Sequence, residues 1–171
     1  MNWNDRTFVF GHKAEEFPLA LDRLSATHVR MADMVKNVPD DLLSVKPGGK
    51  WSVKEHVGHL LIMESLWIAR LDDLIMQREN MRPWNGTNAD TDEANFNRQQ
   101  MSKILSEFNT VRSAMVGYMR TLESEATSLT AWHERLNSTL NLVDHMWFIA
   151  EHDDHHLASI RLLISGKTGI N

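Results

Sequence analysis

The stretch KWSVKEHVGHLLIMES, residues 50–65, decides the fold. Ser52 is a good helix cap and Glu55 stands three residues on, a pairing in which the two side chains satisfy backbone N–H groups reciprocally. From there Val53, Val57, Leu60, Leu61, Trp67, Leu71 and Leu74 recur at helical spacing, which predicts a helix from about Ser52 to Arg78. Upstream, Pro18 suits a first helical turn. Leu21, Leu24, Val29, Met31, Met34, Val35 and Val38 then mark a helix from about Phe17 to Asn37, stopped by Pro39. Downstream of Pro83 and Gly86, the apolar positions Phe96, Met101, Ile104, Leu105, Phe108, Val111, Met115 and Met119 predict a third helix to about Glu125. A fourth carries Leu140, Val143, Met146, Trp147, Ile149, Ala150, Leu157, Ile160 and Leu163, closed by Gly166. No run alternates, so no strand is predicted, and TSLTAWHERLNS (127–138) reads as irregular. The pattern predicts an all-α four-helix bundle, with 80–95 the one connection long enough to shape a site mouth.

A chain of 171 residues that is 42% hydrophobic suits one core, and so one domain over 1–171. A net charge of −5, with both signs interspersed, gives no basic stripe and argues against nucleic acid as a partner. The longest apolar runs, Leu60–Met63 and Met146–Ala150, are far too short for a bilayer, and the opening MNWNDRTF lacks an apolar signal region. The expectation is a soluble cytoplasmic chain with no membrane partner. Cysteine is absent, which excludes a disulfide, a thiolate nucleophile and a sulfur ligand. Any metal must be held by nitrogen and oxygen.

Histidine is the informative residue. His152 and His156 lie one turn apart on one helical face, the spacing that lets two imidazoles converge on an ion. Nine histidines in 171 residues supply about half of one such pair by chance, so spacing alone is weak. Their stripe also carries His145, Phe148, Ile149, Ser159 and Leu163; a ring partly desolvated there needs a hydrogen-bond partner or a metal. His59, on a mixed inward face of the second helix, is the third donor. Gly58 beside it costs about 1 kcal/mol in a helix relative to Ala, which a close helix approach, a crowded site or a tolerated surface position would each explain. His145 is the rival ligand. His56 and His155 point about 60° away from the proposed ligands, as supporting or interface residues do, and His12, His28 and His133 read as solvated or capping.

These residues resemble a family. KWSVKEHVGHLLIMES is similar to the W-S-x-x-E-x-x-x-H-L opening of the second helix in DinB/YfiT-like metal-binding bundles, and HDDHHLASI (152–160) to their fourth-helix H-x-x-x-H. NFNRQQMSKILSEFNTVR (95–112) resembles their third helix, so the likeness runs from about residue 17 to 165. The resemblance implies a four-helix bundle holding one divalent ion (Zn, Ni, Mn or Fe) on His59, His152 and His156. It also implies a homodimer, since relatives are often dimers; Trp3 and Trp84 would serve an interface or a pocket rim.

The relatives span metal-dependent hydrolases, thiol-dependent S-transferases and an isomerase. In the hydrolase reading the ion lowers the pKa of a bound water toward ~7, with Glu55 as first candidate for the base or for orienting an imidazole, ahead of Glu64 and Asp153. In the transferase reading the ion binds a low-molecular-weight thiol as thiolate. Two readings without turnover stand beside these: a metal-binding stress-response module, and a plain bundle whose histidines satisfy core contacts.

Overall fold

A computed structural model describes residues 3–122 and 124–166. Four long helices form the bundle: α1 (Phe17–Val35), α2 (Val53–Ile75), α4 (Met101–Arg120) and α5 (Leu142–Ile164). A short α3 (Ala89–Glu93) lies in the α2–α4 connection. α1 packs between α4 and α5, and α2 does the same from the opposite side, so consecutive helices α1 and α2 stand on a diagonal. The chain therefore crosses the end of the bundle between them, which requires a connection as long as residues 36–52.

Local chemistry fixes the helix starts. Ser52 accepts from Glu55 N and Glu55 returns a bond to Ser52 N, the reciprocal cap expected at α2. Asn141 and Asp144 repeat the device at α5. Gly166 follows α5 with φ +68°, a left-handed conformation that an L side chain resists.

The core is divided in two. Leu24, Trp67, Met115 and Ile149 belong to one buried apolar cluster; Met31, Leu60, Phe108 and Leu157 belong to the other. Each such side chain contributes about 1.5–3 kcal/mol by leaving water. Between the clusters lies a buried polar layer with one residue from each long helix: Thr27, Glu64, Arg112 and Asp153. Arg112 donates to Glu64, to Asp153 and to the Leu24 carbonyl, while Thr27 Oγ1 donates to Asp153 Oδ2 at 2.7 Å. All the guanidinium nitrogens are satisfied, as a buried charge requires.

The structure departs from the sequence reading between α4 and α5. α4 ends at Arg120, and the segment read as irregular contains an antiparallel hairpin, β1 (Thr130–His133) with β2 (Ser138–Asn141), in which Ala131 faces Leu140. Strands of four residues are too short to register as a period, and the hairpin is held by burying Ala131 and Leu140 against the first core cluster. Asn137 closes its turn at φ 48°, and Trp132 exchanges backbone bonds with Glu79 and Met81, tying the hairpin to the α2–α4 connection. α3 and the short turn Phe96–Arg98 were likewise not expected as separate elements, because five and three residues carry no readable face.

Candidate metal centre

α2 and α5 are neighbours along their length, and their facing sides bring three imidazoles together. His59, His152 and His156 are all buried, and one ring nitrogen from each lies within 4.8 Å of the others. His59 Nε2 and His152 Nε2 are 3.3 Å apart. Two nitrogens bound about 2.0–2.1 Å from one tetrahedral ion have about that separation.

Neighbours orient the rings. His59 Nδ1 is 3.0 Å from Thr91 Oγ1 on α3; with the Nδ1 proton donated there, the Nε2 lone pair is directed at the cluster. His156 Nδ1 is 2.9 Å from His56 Nδ1, so His56 supports a ligand candidate rather than joining the three. Trp51 covers the group, its ring centroid 4.8 Å from that of His59, and is itself anchored by donating Nε1–H to Asp92 at 2.9 Å. Burial pushes His59 down to about 4, with the neighbouring histidines adding to the effect. Burial drives His152 and His156 well below the ordinary value, again with help from neighbouring imidazoles. Three neutral nitrogen donors, convergent and shielded from water, are what a borderline divalent ion takes.

The other candidates lie elsewhere. His145 is fully buried below the cluster and donates Nε2–H to the Trp67 carbonyl at 3.2 Å, so it stands outside the convergent set. Glu55 directs Oε2 to Ser52 N and Oε1 to Lys46 Nζ at 2.6 Å; among the described residues no hydrogen bond joins it to His59. Burial works against its charge, but Lys46 and the Ser52 N–H hold its carboxyl below the usual range, and its charge is felt by His56. Glu64 and Asp153 are both committed to Arg112. His133 is buried rather than solvated, and caps the hairpin turn by accepting from Leu136 N. His12 pairs with Glu16, and His28 sits half-buried on α1.

The imidazoles open into a cavity of about 220 Å³ walled by Trp3, Trp51, Trp67, Trp84 and Phe148. Trp3 and Trp84, read from sequence as rim or interface residues, both line it. His155 is in the same wall, and so are Arg70 and Arg135. Trp51 stands in the W-S-x-x-E motif quoted above without a role of its own, and Thr91 and the two arginines carry no expectation from sequence. Of these last three, Arg70 has a readable signal, standing about three helical turns beyond His59 on the same face of α2.

No helix among the described residues is long and apolar enough to cross a membrane. A comparison with curated proteins gives no significant match. Among solved structures, YfiT from Bacillus subtilis, described as a probable metal-dependent hydrolase with an unusual four-helix bundle topology, superposes with a TM-score of 0.81 over 97% of this chain and 95% of that one. The two are 18% identical, a likeness that shows the shared fold. A family model, that of the DinB superfamily, matches residues 23–160, which take in most of α1 and α5, all of α2 and α4, and the three convergent histidines. The chain is a four-helix bundle of the DinB superfamily.

Proposed function

We propose that His59, His152 and His156 hold one divalent metal ion and that the chain is a metal-dependent hydrolase of a small molecule. The observation that carries this reading is the convergence of three buried, neutral imidazoles within 4.8 Å, two of them oriented from behind by Thr91 and His56. When bound, a divalent ion with three protein ligands keeps positions open and supplies Lewis acidity to a water or to a substrate oxygen. The chain's own contribution is to fix the rings and to surround the open side with aromatic walls that exclude bulk water. Of the carboxylates, Glu64 and Asp153 are spent on Arg112 and Glu55 on its cap and Lys46. Among the described residues, the His155 ring on the cavity wall makes no hydrogen bond, so a ring nitrogen is free to accept a proton. The description of YfiT as a probable metal-dependent hydrolase supports the same reading.

Elemental analysis of protein purified without a metal-affinity tag tests it, with an expected content near one equivalent of Zn, Ni, Mn or Fe. The His59→Ala, His152→Ala and His156→Ala variants should lose the ion while remaining helical. Protein that carries no metal, and whose melting temperature none of these ions raises, sinks the metal reading. Metal-loaded protein is then assayed on esters, amides and phosphoesters, with and without biological thiols; turnover that strictly requires a thiol sinks the hydrolase reading.

A further inference from the structure

The far end of the cavity is cationic. Arg70 on α2 is 3% exposed, yet among the described residues no carboxylate comes within 4 Å of its guanidinium. Its Nε donates to the Arg82 carbonyl at 2.9 Å, and its two terminal amino groups have no hydrogen-bond partner there. Asp73, the nearest acid to act on it, is already paired with Arg78 and Arg82. Arg135 reaches the same cavity from the hairpin turn, with only a long contact of 3.4 Å to Asn4 Oδ1. Burial pushes Arg70 down to about 10, and the charge of Arg135 adds to the effect, so the two cations crowd one another. Buried guanidinium groups are ordinarily paired, since leaving water uncompensated is costly. Arg70, buried with its terminal amino groups unpaired, and Arg135, an exposed residue on the same cavity wall, mark a place where an anion completes the structure.

The walls between the arginines and the histidines are apolar. The Arg70 guanidinium lies 5.5 Å from the Trp67 ring centroid, and the Trp67 ring meets that of His152 edge-on at 5.4 Å. The Arg135 guanidinium lies 5.7 Å from the Phe148 centroid, and Phe148 meets Trp67 edge-on at 5.9 Å. The geometry points to a small organic anion as the ligand of this cavity: a carboxylate or similar oxyanion held by Arg70 and Arg135, with an apolar body along Trp67 and Phe148 that leads to the three histidines. As a ligand-binding statement it stands on the arginines; as the substrate class of the hydrolase it rests on the proposed metal centre. His59 and Arg70 are about 16 Å apart along the α2 axis before side chains close the gap, so the group at the histidines and the anionic group are different parts of one molecule.

Binding of phenylacetate and of its uncharged analogue phenylacetamide to the purified full-length protein tests this, read by tryptophan fluorescence and calorimetry. The acid is expected to bind at least ~10-fold more tightly than the amide. Arg70→Met and Arg135→Met should each abolish most of that preference, and added salt should weaken the acid alone. Arg70→Lys and Arg135→Lys, which keep the charge and lose the fork, should retain part of it; they also serve if the methionine variants fail to fold. His59→Ala should keep the preference. Equal affinity for acid and amide, or arginine variants that bind like the wild type, overturns the proposal. So does a preference lost in His59→Ala and kept in the arginine variants, which would put the anion at the metal. Elemental analysis decides the metal centre separately, so either reading can fail alone.

Discussion

Gly58 and Phe96 occupy one space: a Cβ placed on Gly58 would fall 2.2 Å from Cδ2 of the Phe96 ring. The glycine in mid-α2, next to His59, is thus a seat for an aromatic ring from the segment before α4, where Phe96 fills the second core cluster. Gly58→Ala gains about 1 kcal/mol of helix propensity but must displace a ring packed on all sides, a cost of typically 1–3 kcal/mol. We expect a net loss of stability in chemical denaturation. In a Phe96→Ala background the same substitution should become neutral or stabilising; a Gly58→Ala effect that is the same in both backgrounds refutes the account.

Thr91 acts on His59 without joining the metal candidates. Thr91→Val keeps the shape of a residue that is 2% exposed and removes the acceptor for His59 Nδ1–H. Metal affinity should fall by about 10-fold or more, with little change in helicity. Competition with a chromophoric chelator measures it, and an unchanged affinity removes Thr91 from the site.

The Arg112 layer should be the most sensitive point in the fold. Burial raises the Glu64 carboxyl above its usual range, against the opposing pull of Arg112. Arg112→Met leaves Glu64 and Asp153 buried without their cation, at a cost of about 3–5 kcal/mol. Replacing Glu64 and Asp153 by uncharged residues in the same chain should recover much of this. Denaturation midpoints of the single and triple variants decide it, and a single variant of near wild-type stability contradicts the reading.

His145 gives stability a pH dependence of known sign. Burial is the main cause that pushes its pKa down to about 3 from an ordinary 6.5. Above pH 6.5 neither the folded nor the unfolded ring is protonated, and the contribution is fully present. As the pH falls from 6.5 toward about 3, the unfolded chain binds a proton that the folded chain refuses, and stability is lost, by several kcal/mol at full extent. His145→Leu should flatten the stability profile in that window relative to wild type. Parallel curves for the two proteins would show that His145 is not the titrating group.

The sequence by itself determined the four long helices, the Ser52–Glu55 cap and the pairing of His152 with His156, because each follows from spacing along one chain. A helix turns every 3.6 residues whatever surrounds it, so face and cap are local properties. The hairpin escaped notice because its strands are four residues long and are stabilised by the core they cover. The division of labour among polar groups was also decided in three dimensions. In sequence Glu55 stands first among the candidate bases, ahead of Glu64 and Asp153, and the tertiary structure spends all three on Lys46 and Arg112. In the same way, Thr91 behind His59, Phe96 against Gly58, and Arg70 and Arg135 on one cavity wall bring together segments far apart in the chain. No local pattern encodes them, since they exist only once the packed helices have brought those segments together.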